Sequence, residues 1–427
     1  MKYSGVEWIG EIPDKWNLVR LKDICINKKE VAGEKSSEYE RLALTLNGVI
    51  KRPKDDQEGL QPKEFDTYQL LEENDFVFKM IDLQNISTSR VGLSPYTGLV
   101  SPAYIRFASK KKGQFNEFIL YYLLSLWHNC VYNNIAGDGV RNALNATDMG
   151  NLKCPYPTEE QQRKIASFLN KKTAEIDSLI EIENQQIEKL KEYKQAVITE
   201  AVTKGLDKDA PLKDSGVEWI GKIPEGWSIK RAKFIAEEFI KGSGITKEDV
   251  VIDGDIPCVR YGEIYTKYDN CFNECVTRTN LSNVPSPTFI EKGDLLFTCT
   301  GELVEEIGKN VLYLGEKKCL AGGDIIVMKH KQHPGFINYA MNCTRSQMQK
   351  SYGKAKLKVV HISTLGIGNV YVCLPSYTEQ KNISDYLDDF TESINKIISI
   401  KQQKICQLDE YKKSLIYEYV TGKKEVC

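Results

Sequence analysis

Histidine is scarce in this 427-residue chain, which has only His128, His330, His333 and His361. His330 and His333 lie in the charged stretch KHKQHP with no second pair at zinc spacing, so they read as solvated and no metal is expected. The twelve cysteines are scattered. The nearest pair, Cys271 and Cys275, lacks CxxC spacing, so the thiols read as reduced and packed like small hydrophobes. No apolar run approaches the roughly 18 residues that span a bilayer, and Met1-Lys2-Tyr3-Ser4-Gly5 leads into no signal-peptide core. A cytoplasmic protein with no membrane partner is expected. A surplus of one charge is missing too: 58 Lys+Arg stand against 59 Asp+Glu, a net charge of -1. Charge alone therefore does not suggest nucleic acid. Absent as well are GxxxxGK[ST], HExxH, GxSxG and a Cys/His nucleophile pair, which argues against a self-sufficient nuclease or methyltransferase. FIKGSG (239–244) and KCPYP (153–157) approach a glycine-rich cofactor loop and the proline–aromatic motif of amino-methyltransferases. Each lacks required residues, Cys154 standing where a proline belongs.

What is present is a doubled sequence. SGVEWIGEIPDKWNLVRLKDI (4–24) recurs as SGVEWIGKIPEGWSIKRAKFI (215–235), with 13 of 21 positions identical. Trp8, Trp16, Trp219 and Trp227 sit in these copies, and Pro13 and Pro224 stiffen the backbone between each pair. They read as duplicated core anchors rather than a binding surface. A second repeat lies downstream, in which PTEEQQRKIASFLNKKTAEIDSLIEIENQQIEKLKEYKQAVITEAVT (157–203) corresponds to PSYTEQKNISDYLDDFTESINKIISIKQQKICQLDEYKKSLIYEYVT (375–421). The chain is thus two tandem halves, each an anchor, a globular region and a long helix. Between anchor and helix the halves look unlike each other. At 41% hydrophobic and 27% charged residues, with a length of two to three domains, the composition is that of a soluble globular protein.

Both helix segments lack Gly and Pro after their first turn, and Thr158 or Ser376 can cap them. In the first, Ile165, Leu169, Ile176, Ile180, Ile187, Leu190 and Val197 follow 3/4 spacing, interrupted by Glu183 and Lys194. The second repeats this with Ile383, Leu387, Phe390, Ile394, Ile398, Ile405, Leu408 and Leu415, interrupted by Lys401 and Lys412. A narrow apolar stripe cannot stay in water, and the simplest burial is one stripe against the other, antiparallel. Matching midpoints places Glu183 opposite Lys401. At about 1.5 Å per residue, a helix of about 46 residues is near 70 Å long.

The regions between anchors and helices read as mixed α and β. DFVFKMI (75–81), GDLLFTCT (293–300) and DIIVMK (324–329) have strand character, and EFILYYLLSLWHNCVY (117–132) reads as an apolar helix. Basic clusters are the remaining functional signal: Lys51, Arg52 and Lys54; Arg141 with Asn142 after a flexible GDG; and Lys350, Lys354, Lys356 and Lys358 around Tyr352. Lys and Arg neutralise phosphates, and Arg or Asn reads base edges, although a charge run can equally be a solvated face.

SGVEWIGEIP with its second tryptophan, then PTEEQQRKIASFL opening a long helix, and the whole arrangement again, closely resembles the specificity subunit of type I restriction-modification systems. The likeness covers essentially the whole chain and is strongest in the anchors and in two helix starts read as Glu160-Gln161 and Glu379-Gln380. The resemblance implies an α+β protein with two mixed target-recognition domains (1–157 and 205–375) separated by two long antiparallel helices in a coiled coil (158–204 and 376–422), related by pseudo-two-fold tandem duplication. It implies that each domain reads one half of a bipartite, asymmetric sequence in double-stranded DNA. Two methyltransferase subunits would use S-adenosylmethionine to methylate adenine, and restriction (motor/nuclease) subunits would use ATP and Mg, leaving this chain without catalysis or cofactor. The basic residues above, from Lys51 to Lys358, become its DNA contacts. Ile176, Ile180, Glu183, Ile187 and Leu190 with Ile394, Ile398, Lys401, Ile405 and Leu408 become the helix pairing. A non-catalytic coiled-coil scaffold carrying two ligand-binding domains remains the alternative.

Overall fold

A computed structural model describes residues 1–56, 64–83, 89–136, 143–301, 303–353 and 360–426. The chain divides into two compact units, Met1–Glu183 with Gln402–Cys427, and Asn184–Lys401. Both long helices form, Glu159–Lys204 and Tyr377–Val420, and each gives half of its length to each unit. Thr158 caps the first, its hydroxyl accepting the Gln161 N–H at 3.3 Å, and Ser376 caps the second by accepting the Glu379 N–H at 3.3 Å. Among the described residues no helix is long and apolar enough to cross a membrane.

The anchors fold alike because their residues set the same turns. Gly10 and Gly221 take the left-handed conformation (φ +68° and +77°), which costs glycine little, and Trp16 and Trp227 each donate their backbone N–H to the Pro13 or Pro224 carbonyl at 2.9 Å. Both indoles are buried. Each anchor continues into a strand beside the one leading to a long helix: Asn17–Arg20 pairs antiparallel with Lys153–Tyr156, and Ser228–Arg231 with Tyr371–Leu374. KCPYP is therefore frame strand, with Cys154 wholly buried. The glutamine shared by the two helix starts proves to be Gln162 and Gln380, one residue beyond the Glu160-Gln161 reading. Both are buried, and their amides donate to the Pro157 and Pro375 carbonyls at 3.0 and 3.1 Å.

The intervening regions, unlike in sequence, share one topology. In the first unit the strands are β1 (Cys25–Lys28), β2 (Arg41–Thr45), β3 (Gly48–Arg52), β4 (Gln69–Leu71), β5 (Phe76–Phe78), β6 (Val91–Leu93), β7 (Gly98–Val100) and β8 (Ile105–Ser109). They form sheets β1–β8–β5–β6 and β3–β2–β7–β4. The second unit has β9 (Ala236–Lys241), β10 (Ile256–Val259), β11 (Cys271–Phe272), β12 (Thr277–Thr279), β13 (Phe289–Ile290), β14 (Leu295–Thr298), β15 (Asn310–Tyr313), β16 (Cys319–Ala321) and β17 (Ile325–His330). Its sheets are β9–β17–β14–β15–β11 and β12–β10–β16–β13, the same orders with β11 added. The β2–β7 and β10–β16 pairs are both parallel. The turn before β5 and β14 is shared too. Asn74 (φ 66°) and Gly293 (φ 98°) let it close, and Asp75 and Asp294 accept the Glu72 and Glu291 N–H at 3.1 and 2.9 Å. The expected 117–132 helix forms as Glu117–His128 and Val131–Ala136, broken where Cys130 takes φ 55°.

Each unit buries its own stretch of the helix pair. In the first, Ile165, Leu169 and Ile176 share a core with Trp16, Leu415, Ile416 and Val420, and Ile180 and Leu408 pack against it. In the second, Ile198 and Val202 share one with Trp227, Ile383 and Leu387. Of the remaining seam residues, Ile187, Ile394 and Ile398 are buried, and Leu190 and Ile405 are partly buried. A fully buried Leu or Ile contributes about 1.5–3 kcal/mol, so these layers rather than helix midpoints set the register. Glu183 accordingly meets Lys404 at 2.5 Å, and Lys401 bonds Gln186. The other two interruptions are also answered across the pair. Lys412 donates to Asp177 at 2.6 Å and Lys194 to Asn395 at 2.9 Å.

Several expectations about single residues change. Lys350 is 2% exposed, its ammonium donating to the Gly308 carbonyl at 2.7 Å, and burial pulls its pKa down to about 7. It lies on the inner face of the helix Thr344–Ser351, a placement that the charge cluster gave no hint of. His330 is not solvated: burial lowers its pKa to about 4, and its Nδ1 accepts the Gln332 N–H at 3.1 Å. His333 caps the helix Pro334–Asn342 by accepting the Phe336 N–H at 3.4 Å. Cys275 and Cys319 form a disulfide rather than two thiols, in a region where the Asn273 and Gly315 backbones pack closely. Gly242 of FIKGSG serves packing, since a methyl group there would stand 2.0 Å from the Gly322 carbonyl oxygen.

Two outcomes are expected. Glu183→Lys should lower thermal stability by about 1–3 kcal/mol, because the 6% exposed site then holds an ammonium beside Lys404. Adding Lys404→Glu should restore most of the loss; thermal melts that show no rescue would contradict this pairing. The second concerns pH. Above about pH 7 folded Lys350 has released a proton that the unfolded chain keeps up to its ordinary 10.5, so unfolding takes up a proton and stability rises with pH across that window. Melts at pH 6.5 to 9.5 should show a rise that Lys350→Met removes.

Candidate nucleic-acid interface

Of the sequence-derived basic residues, Lys51, Arg52 and Lys54 fall together at the edge strand β3. Lys51 is half exposed, lies 2.5 Å from Glu40 and sits over the Tyr96 ring at 5.1 Å. The Glu40 hydrogen bond raises its pKa, so its charge is secure at neutral pH. Arg52 pairs with Asp56 at 3.1 Å, and Lys54 donates to the Ser36 carbonyl at 2.7 Å while lying over Phe65. These contacts hold the charged ends of three cations near one edge, which reduces the entropy lost when a phosphate binds.

The second group is split. Lys350 is internal. Tyr352 is exposed and packs at a tilt against Trp219 with ring centroids 5.0 Å apart, which ties the end of the helix Thr344–Ser351 to the second anchor. Lys354, Lys356 and Lys358, and Arg141 with Asn142, lie outside the described residues.

Strand register shows what β3 corresponds to in the second unit. Arg52, Arg41, Leu99 and Leu70 lie in one row across β3–β2–β7–β4. Thr277, Cys258, Leu320 and Phe289 occupy the same row across β12–β10–β16–β13. Thr277, in the place of Arg52, lines a cleft of about 700 Å³ together with Lys247, Arg260, Tyr261, Gly262 and Lys267. This cleft was not legible in the sequence. Its residues are spread over Ile245–Gly323 as single cations, and the one local signal was Arg-Tyr-Gly at 260–262. Both units thus put cations and an aromatic ring at the same edge of the same sheet, with different side chains. A second recess of the same unit, about 540 Å³, sets Lys194 and Lys309 against Asp269 and Glu306 and offers an anion no net attraction.

Comparison with known proteins is consistent with this arrangement. Residues 13–192 match the family described as type I restriction modification DNA specificity domain. The putative type I restriction enzyme MjaX specificity subunit of Methanocaldococcus jannaschii is 25% identical over 97% of this chain and 95% of its own length. The type I restriction enzyme MjaVIII specificity subunit of the same organism is 24% identical over 96% and 93%. A solved chain from work titled as the structural basis of complex assembly and conformational transition of the type I R-M system shares the fold. Its TM-score is 0.70 at 14% identity, over 97% of this chain and 100% of that one. The chain carries one topology twice in a doubled frame and is similar along almost its full length to type I restriction enzyme specificity subunits.

Proposed function

We propose that this chain is the DNA-reading subunit of a type I restriction-modification complex, each unit reading one half of a bipartite, asymmetric duplex target. The observation that carries the reading is the pairing of one topology with two differently furnished edges: Lys51 and Arg52 on β3 with Lys54 just beyond it, and the Arg260 cleft beside β12. A common scaffold supplies a common way of approaching a duplex, and unlike side chains supply unlike base preferences. The chain itself performs no chemistry in this reading. It directs adenine methylation by two methyltransferase subunits that bring S-adenosylmethionine, and cleavage by motor/nuclease subunits that use ATP and Mg, in the cytoplasm.

Two copies of one partner suit the helices. Leu179 and Ile182, with Tyr411 from the second helix, stand exposed on the pair in the first unit. Ile397 and Ile400, with Tyr193, stand exposed at the places 218 residues away in the second. Duplicated apolar positions left open on an otherwise charged helix surface support duplicated docking. The near-zero net charge favours the scaffold reading, and salt dependence separates the two: only a phosphate-binding chain loses affinity steeply with salt.

Mapping N6-methyladenine in the host genome with and without this gene is the direct test; a split motif that disappears on deletion is expected, and an unchanged methylation map would refute the assignment. Exchanging residues 25–150 for those of a relative should change only one half of that motif. In binding titrations, Lys51→Gln with Lys54→Gln should reduce the slope of log K against log salt by about 1 to 2, and Lys350→Met should leave it unaltered.

A further inference from the structure

Arg260 is held as a reader of a base would be. It precedes the helix Tyr261–Thr266, and its backbone N–H donates to Glu263 Oε2 at 3.0 Å. Its Nε and Nη2 both reach Glu263 Oε1, at 3.3 and 3.2 Å. Glu263 is 6% exposed and takes a further hydrogen bond from the Thr277 hydroxyl at 3.1 Å, which is itself within 2.9 Å of the Cys258 carbonyl. The carboxylate is thereby locked, and it locks one edge of the guanidinium. The other edge, Nη1 with the second Nη2 hydrogen, remains for a ligand, and the side chain keeps 29% of its surface open in the cleft. Gly322 lets its segment pass close to the residue before Arg260, because a methyl group there would stand 2.8 Å from the Val259 carbonyl oxygen.

The surroundings narrow the ligand. Gly262 has no heavy atom within 4 Å of where a Cβ would lie, so the backbone beside Arg260 can approach a flat edge closely. Lys247 and Lys267 flank the cleft and have no ion-pair partner among the described residues, as phosphate-binding cations would. Tyr261 is partly exposed beside them. A planar fork fixed by a buried carboxylate matches two acceptors side by side, the O6 and N7 of guanine in the major groove. Adenine presents an acceptor and a donor there, and the donor opposes the fork.

We infer that Arg260 is the guanine-reading residue of the second unit, with Glu263 as its positioning residue and Lys247 and Lys267 on the flanking phosphates. The inference rests on the DNA-reading function proposed above. Because Glu263 holds the fork before DNA arrives, little side-chain entropy is lost on binding, and discrimination against the other bases is sharpened.

The test replaces the gene in its native host and sequences N6-methyladenine genome-wide. Absence of any gene-dependent split motif with the wild-type chain would overturn the DNA-reading proposal itself, an outcome distinguishable from failure of the Arg260 assignment alone. Given such a motif, exchange of residues 236–330 identifies the half read by the second unit, and that half must contain a G·C pair; a half made only of A·T pairs refutes the inference. Arg260→Gln should relax the preference for guanine at one position by roughly tenfold to a hundredfold, with the other half unchanged. Arg260→Lys, which keeps the charge without the fork, and Glu263→Gln should relax the same position to a smaller extent. Unchanged stringency, or a uniform fall at all sites whatever the base, would make Arg260 a structural or phosphate-binding residue. If Arg260→Gln abolishes all methylation, Arg260→Lys decides: relaxation at the single position supports the inference and uniform loss overturns it.

Discussion

Ile165, Leu169 and Ile176 on the first long helix, and Leu415, Ile416 and Val420 on the second, share one core with the anchor tryptophan Trp16. None of these narrow stripes can be buried within its own helix, so the first unit closes only when the end of the chain returns to its beginning. Other contacts depend on that return. Tyr417 reaches the Trp8 carbonyl at 3.2 Å, Tyr419 packs on Phe168, and Gly422 lies so near Pro13 and Trp16 that a methyl group there would be 2.4 Å from Pro13 Cδ. The second unit repeats the contact from within its own continuous stretch, with Gly205 against Trp227 and the indole N–H donating to Glu379 at 3.1 Å. Glycine is needed at both helix ends because the chain turns there with φ 71° and 78° against an indole.

Polar residues inside the seam give it direction. An apolar stripe alone tolerates slippage, whereas Glu183 with Lys404, Lys401 with Gln186, Lys412 with Asp177 and Lys194 with Asn395 are satisfied in one register. The frame is tied to the domains by a repeated tyrosine. Tyr121 donates to Asn170 at 2.7 Å in the first unit, and Tyr339 to Asp388 at 2.7 Å in the second. A duplicated frame with duplicated fastenings leaves the β3 and β12 edges free to differ, since neither carries load for the other.

Much of the frame was legible in the residues. Two tryptophans around a proline, repeated, announce an anchor that must bury its indoles, and long 3/4 stripes ending near glycine announce paired helices. The three strand segments were legible too, at β5, β14 and β17, because buried strands bounded by turns need apolar runs. The candidate interface was legible only in part. Lys51 and Arg52 end one strand and Lys54 follows two residues on, so they emerged as a cluster, whereas Lys247, Arg260 and Lys267 come from separate segments that only the fold gathers. Lys350 misled for the opposite reason, since its position on the helix Thr344–Ser351 turns it inward, which a count of charges along the sequence does not show.

Sequence by itself therefore determined the duplication, the helical pairing partners and the absence of familiar catalytic motifs, because these depend on local pattern and repeat. Tertiary structure decided the register, bringing Lys404 to Glu183, because apolar layers far along the helices outweigh any one charge pair. It revealed that regions with little common sequence share a topology, because a strand order requires only alternation and turns at matching places. And it alone assembled Arg260, Glu263 and Thr277, whose chemistry comes from distances across strands that no linear spacing records.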